Sequence, residues 1–338
     1  MKRFDYIKPT NVDEAVAALA SNVGAQLIAG GTNIVDLMKY DVAAPSLLID
    51  INGLALKDIE ALPKGGFRIG ALVSNTDIAY HDGIQRHYPL LSSAILAGAS
   101  PQLRNAATAG GNLLQRTRCY YFYDPSTPCN KRQPGSGCSA IGGVNRIHAI
   151  LGASPSCIAV HPSDMCVALA ALDAVVEVTG PNGRREIAFA DFHRLPGDTP
   201  EKDNTLAFGE IVTGIRIEGQ PDPTHHTYLK LRDRLSYAFA LISVAVSLDM
   251  DQRVISGARV ALGGVAHKPW RDRQAEAALI GRDPSESDFR TFATTLLAPA
   301  KGQGGNDFKI PLAEKAIVRA LRQAVAGTPQ VQSVKAIA

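Results

Sequence analysis

Residues 25–40 read AQLIAGGTNIVDLMKY: a short apolar run, two glycines, then apolar residues at helical spacing. The run bounded by glycine reads as a buried strand, and the segment after it as the helix that follows. Upstream, Asn11-Val-Asp-Glu14 is a capping-box pattern before the alanine-rich AVAALAS at 15–21. Downstream, SLLIDING (46–53) and FRIGALVS (67–74) are further apolar strands. This alternation of strand and helix predicts an α/β arrangement for the first part of the chain.

The stretch from about Pro101 to Pro162 breaks the pattern. It is rich in Gly, Pro, Asn and Arg, lacks periodicity and reads largely as ordered loop. A loop of that length inside a compact domain is functional or disordered, and the run Tyr120 to Tyr123 with its neighbouring cysteines favours the former. SDMCVALAALDA (163–174) then reads as a helix capped by Ser163, and VVEVTGPNGRREIAFADF (175–192) as a hairpin turning at Asn182-Gly183. The Pro/Asp-containing stretch Gly219 to Thr224 sets the expected domain boundary. Beyond it, YAFALISVAVSLDM (237–250) and VISGARVALGGVA (254–266) read as paired strands, and LAEKAIVRALRQAV (312–325) as an amphipathic helix. The expected fold class is α+β, with domains at 1–222 and 223–330, in keeping with roughly 150 residues per domain.

Bulk properties narrow the function. A formal net charge of +3 without a long basic run gives nucleic acid no electrostatic footprint. No stretch of about 18 apolar residues exists, which argues against a membrane span. The first residues lack a signal-like apolar region, so the chain alone reads as cytoplasmic. In a reducing compartment, cysteines are better read as ligands or buried thiols than as disulfides.

Two glycine pairs stand out, Ala29-Gly30-Gly31-Thr32-Asn33 and Thr108-Ala109-Gly110-Gly111-Asn112. Adjacent glycines let backbone approach a ligand, and converging N–H groups attract an anion such as a dinucleotide pyrophosphate. The plainer reading is two tight turns. Neither GxGxxG nor GxxxxGK[ST] occurs. In His161-Pro-Ser-Asp164, the carboxylate reads either as a helix cap or as an acceptor for a cofactor hydroxyl or ring N–H. Lys230, Arg232 and Arg234 alternate along Tyr228 to Tyr237, which places three cations on one face of a strand. No Ser–His–Asp order or HExxH motif is present, and no residue is expected to act as a substrate acid or base.

All five cysteines, Cys119, Cys129, Cys138, Cys157 and Cys166, lie in one short interval without a CxxC. Cys119, Cys129 and Cys138 fall in Gly/Pro-rich loop, Cys157 begins an apparent strand and Cys166 sits on an apolar helix. The first four are candidate metal ligands and Cys166 a core thiol. Thiolates suit iron–sulfur clusters or zinc, and five reduced core cysteines is the bland alternative. The cations Arg116, Arg118, Lys131, Arg132 and Arg146 face a lone acid, Asp124, and would offset cluster charge or form a solvated patch.

The order AGGTN, RNAATAGGN, HPSDM, YLKLRDRLSYAFA and ALGGVAHKPWR resembles the FAD-binding subunits of molybdenum-containing hydroxylases, such as the xanthine dehydrogenase and carbon monoxide dehydrogenase families. The resemblance runs from about residue 3 to 325. It implies a vanillyl-alcohol-oxidase-type FAD domain of two α/β lobes, plus a small α+β C-terminal domain. Gln26, Leu27, Ile28, Ala29, Gly30, Gly31, Thr32, Asn33 and Ile34 would wrap the FAD pyrophosphate. Thr108, Gly111 and Asn112 would continue the cradle, Asp164 and Lys230 would contact the flavin, and Ser100 is a weaker match. The motif RTRCYYFYD…CNKRQPGSGC is most similar to the aldehyde oxidoreductase branch. That likeness implies a 4Fe–4S cluster on Cys119, Cys129, Cys138 and Cys157, in a loop spanning about 115–158.

The implied role is electron transfer from 2Fe–2S centres of one partner, fed by a molybdenum-cofactor subunit, through FAD to an external acceptor. A xanthine dehydrogenase or hydroxybenzoyl-CoA reductase type complex is the near alternative, and a zinc-stabilised scaffold the distant one. The branch is periplasmic, so export with a signal-bearing partner is expected against the chain's own cytoplasmic look.

Overall fold

The computed structural model describes residues 1–219 and 221–332. The chain begins with β1 (Asp5–Ile7), α1 (Val12–Ser21), β2 (Ala25–Ile28), α2 (Ile34–Lys39) and β3 (Leu47–Asp50). β3 lies between β1 and β2, parallel to both, with Ile49 opposite Ile7 and Leu27. Parallel strands need crossovers, and α1 and α2 supply them. At the start of α1 the Asn11 side chain accepts from Glu14 N, while Glu14 accepts from Thr10 N. The return bond thus reaches one residue further back than in an ideal capping box.

The second lobe contains β4 (Ile59–Ala61), β5 (Gly66–Gly70), α3 (Asn75–Tyr80), α4 (Asp82–His87), α5 (Pro89–Ala97), α6 (Pro101–Ala106), α7 (Ala109–Leu114) and α8 (Tyr120–Tyr123). It continues with α9 (Asp164–Ala171), β6 (Val175–Gly180), β7 (Gly183–Ala188), α10 (Phe189–Phe192) and β8 (Ile211–Glu218). The strands form one antiparallel sheet in the order β4-β5-β8-β6-β7. At the hairpin tip Gly183 carries the left-handed conformation (φ 97°), whereas Asn182 does not share it.

Residues 101–162 are not loop throughout. Ser100 and Thr108 cap α6 and α7, overriding the helix penalty of Gly110 and Gly111. From Asp124 to Ser163 the described chain is turns and isolated bridges, including Cys129 with Cys138 and Ser154 with Cys157. This loop has its own small core of Leu37, Phe122, Ala140, Ile158 and Ala159 around three of the cysteines.

The last third adds β9 (His226–Leu231), β10 (Ile242–Asp251), β11 (Val254–Gly263), α11 (Arg273–Ala277), α12 (Glu286–Leu297) and α13 (Lys309–Val325). Its sheet is an antiparallel meander, β11-β10-β9. β9 stops at Leu231 and β10 starts at Ile242, so Arg232, Arg234 and the Tyr237 stretch lie outside the ladder, and the expected three-cation strand face does not form. α5 and α9 sit between the two antiparallel sheets, sharing a core that includes Leu91, Cys166, Val176, Ile215, Tyr228 and Ala245. Gln220, inside the expected boundary stretch, lies outside the described residues. No helix among the described residues is long and apolar enough to cross a membrane.

Candidate functional site

A cavity of about 850 Å³ opens where the two lobes, the long loop and the C-terminal sheet meet. That is within the usual size range of cofactor pockets. Thr32 and Asn33 border it from the turn after β2, Gly111 and Asn112 from α7, Asp164 from the head of α9 and Lys230 from β9. The fold therefore gathers both glycine motifs, HPSD and YLK at one place. Other predicted site residues stand behind this wall. Gln26, Leu27 and Ile28 are paired to β3, and Ile34 begins α2. Ser100 and Thr108 spend their hydroxyls as caps, on Leu103 N and Gly111 N. The Gly111 amide is thereby occupied.

Ala29, Gly30 and Gly31 shape the turn. Gly31 has φ 71°, and a Cβ on Gly30 would stand 1.7 Å from the Ala106 carbonyl oxygen. The first glycine turn thus rests directly on the residues that lead into the second. That contact, invisible in either motif alone, joins the two motifs.

Several polar atoms at the cavity lack protein partners. Asn33 Oδ1 accepts from Arg116 N at 2.9 Å, which turns its Nδ2 away, buried and unpartnered. Asn75 Oδ1 and Arg104 Nε are also buried without partners, on residues that line the same cavity. A buried polar atom left alone costs about 1–3 kcal/mol, and these two donors and one acceptor belong to residues that border the cavity. Asn75 and Arg104 were not singled out by sequence: each sits in an ordinary short helix without a motif.

Asp164 is a buried hub. It accepts from Tyr228 Oη at 2.7 Å and Lys230 Nζ at 2.8 Å, and Lys230 also donates to the Ala97 carbonyl at 3.1 Å. Arg232 donates to the same carbonyl at 3.0 Å. A Cβ on Gly98 would approach Asp164 Oδ2 to 2.9 Å, so the glycine keeps room for the carboxylate. Burial and the Asp164 charge push the Tyr228 phenol well above its ordinary value.

Beside this cavity lies a narrow one lined by Cys119, Cys129, Cys138 and Cys157. Cys119 and Thr117 border both cavities. Burial pushes the Cys119 thiol up to about 12 and the Cys157 thiol to about 11, and Lys131 opposes the latter shift. Lys131 is itself buried and is held by Asp203 and the Pro200 carbonyl. Asp203 also accepts from Arg116 Nε at 2.7 Å, and these cations keep its carboxyl well below the carboxylate range. His148 Nε2 lies 3.1 Å from Cys119 Sγ, and burial holds this imidazole down to about 4. Cys166 is fully buried in the core of α9, near His161 and His193, whose rings both bond the Leu113 carbonyl.

The chain matches known flavoprotein families and subunits along nearly its whole length. Residues 2–218 match the FAD binding domain in molybdopterin dehydrogenase, and residues 226–324 the CO dehydrogenase flavoprotein C-terminal domain. The chain is 50% identical over 327 residues to the aldehyde oxidoreductase FAD-binding subunit PaoB of Escherichia coli, covering 96% of this chain and 99% of that one. It is 27% identical over 329 residues to the carbon monoxide dehydrogenase medium chain of Hydrogenophaga pseudoflava, covering 95% and 97%. A solved structure of carbon monoxide dehydrogenase from that organism superposes with a TM-score of 0.76 at 27% identity, covering 96% of this chain and 98% of the other. With its cavity bordered by both glycine motifs, HPSD and the β9 lysine, the chain belongs to the family of FAD-binding subunits of molybdenum hydroxylases.

Proposed function

We propose that this chain is the FAD subunit of a molybdenum-dependent aldehyde oxidoreductase and that Cys119, Cys129, Cys138 and Cys157 hold a 4Fe–4S cluster beside the flavin. The observation that carries the reading is the shared wall: four thiols surround one narrow cavity, and Cys119 also faces the large one. The aldehyde substrate rests on the PaoB likeness. Iron–sulfur is favoured over zinc by spacing. Among the described residues, no three of the four sulfurs lie within 4.8 Å of one another. A tetrahedral zinc with Zn–S of about 2.3 Å needs sulfurs roughly 3.8 Å apart, whereas a cluster of four irons spreads its ligands wider.

When bound, FAD accepts and releases electrons singly or in pairs, and a cluster passes them singly. The chain's own residues position and tune. Thr32, Asn33 and Asn112 would hold the cofactor's diphosphate, and Asn33 Nδ2 is a buried donor with no protein acceptor. Asp164, fixed by Tyr228 and Lys230, would hold the flavin. Lys131 would offset negative charge at the thiols, as it already opposes the rise of Cys157. No side chain is assigned as a substrate acid or base. The electrons would come from 2Fe–2S centres of a small partner served by a molybdenum-cofactor partner, and leave to an external acceptor. Residence in the periplasm would follow from export with a signal-bearing partner.

Metal and sulfide analysis of the purified complex tests the reading. Iron and acid-labile sulfide in excess of what the partner's 2Fe–2S centres contain, with that excess lost in a Cys138→Ser chain while flavin stays bound, are expected. Zinc in place of that excess iron, or a Cys138→Ser complex that keeps all its iron, would overturn it.

A further inference from the structure

Cys119 differs from the other three proposed ligands, because it alone of the four borders the flavin cavity. His148 borders that cavity too, with Nε2 3.1 Å from Cys119 Sγ. The ring is buried and its Nδ1 has no partner. A neutral imidazole carries one proton, on one nitrogen or the other. On Nδ1, that proton would be a buried donor with nothing to bond, and a lone pair would face the sulfur. On Nε2 it makes an N–H···S bond and leaves only an acceptor unpaired. A thiolate at Cys119 therefore selects the Nε2–H form.

The backbone of His148 is anchored from two sides. Its N–H donates to the Asn145 carbonyl at 2.9 Å. Its own carbonyl accepts from Asn306 Nδ2 at 3.0 Å and from the buried Lys309 Nζ at 2.8 Å, both in the C-terminal domain. Asn306 also holds the Ala149 carbonyl. The ring is thus delivered to the sulfur by packing and by bonds that do not involve a metal.

We infer that His148 is a positioning residue for the cluster: it donates Nε2–H to the Cys119 sulfur, keeps that ligand on the flavin side, and raises the cluster's reduction potential. The inference rests on the cluster reading above. Its sign follows from charge. Reduction adds one electron to the cluster, with no bond broken and no proton moved, so more negative charge resides on iron and sulfur afterwards. A hydrogen-bond donor at a ligand sulfur favours that more negative state.

The test uses the complete complex carrying His148→Phe or His148→Gln, titrated with dithionite as electron donor while the reduced cluster is followed by electron paramagnetic resonance. Phenylalanine keeps a ring but removes the donor; glutamine retains an amide N–H. With iron, sulfide and flavin intact, His148→Phe should lower the reduced-to-oxidised ratio about tenfold at a fixed potential, about 59 mV for a one-electron couple. His148→Gln should recover most of that shift. An unmoved potential in His148→Phe overturns the inference, and so does an equal shift in both variants, which would mean packing alone matters. Should the phenylalanine chain lose its cluster, glutamine decides. Full iron and a ratio within about threefold of the unsubstituted complex supports the hydrogen bond, and iron loss there too overturns it. An unsubstituted complex whose iron and sulfide are fully accounted for by the partner's 2Fe–2S centres removes the cluster reading itself, a result distinct from all of these.

Discussion

At Asp164 a single carboxylate joins two motifs 64 and 66 positions apart, through Tyr228 and Lys230. Both charged side chains are almost wholly buried, so removing one strands the other. Breaking such a pair costs about 3–5 kcal/mol, whereas replacing both with apolar groups is close to neutral. Lys230→Met should therefore destabilise the chain by about that amount, and adding Asp164→Leu should restore most of it. Urea unfolding of the apo chain checks this; equal destabilisation of single and double variants would rule out a pair. HPSD and YLK could each be read from sequence as candidate contacts. Their union could not, because it depends on α9 and β9 meeting across the core. Asn75 and Arg104 were illegible for a related reason: nothing local distinguishes a polar residue buried beside a cavity from one on the surface.

At the scale of elements, the junction between the β2–α2 turn and the α6–α7 turn governs the cradle. Gly30 lies so close to Ala106 that a methyl group would collide with backbone, which cannot rotate away. Gly30→Ala should weaken FAD binding at least about tenfold, since a misplacement near 1 Å is enough to lose such precision. Flavin absorbance of the purified protein gives the readout. Gly135→Ala is the control: at φ 83° with nothing within 4 Å, it incurs only backbone strain of roughly 1–2 kcal/mol. Retained flavin in Gly30→Ala would show that the turn can shift. Strand and helix periodicity made most of these elements readable. The short helices α6 and α7 were hidden because their glycines and prolines mimic loop, and only the capping bonds of Ser100 and Thr108 reveal them.

Across the whole molecule, buried histidines make stability depend on acid. His193 and His267 are held down to about 4, and His161 well below its ordinary value, chiefly by burial. His193 Nε2–H donates to the Leu113 carbonyl and His267 Nδ1–H to Arg194 O, so neither ring needs a second proton. Between about pH 6.5 and 4 the unfolded chain binds protons that the folded chain refuses, so stability rises with pH across that window and is lost as pH falls through it. Each such histidine adds roughly 1.4 kcal/mol per pH unit to the slope. Denaturation midpoints between pH 4.5 and 6.5 should climb steeply, and His267→Gln should flatten the rise by about one histidine's share. An unaltered slope in that variant would mean His267 titrates normally when folded.

The clamp on the long loop also has an order in time. Asn306 grips the carbonyl of His148 across 158 positions, and Lys309 across 161. At ribosomal speeds of about 5–20 residues per second, roughly 10–30 s separate the making of the loop from the making of its clamp. During that interval the four thiols are already present and the C-terminal latch is not. On the proposed cluster reading, filling before fastening is therefore the sequence of events that the chain order itself permits.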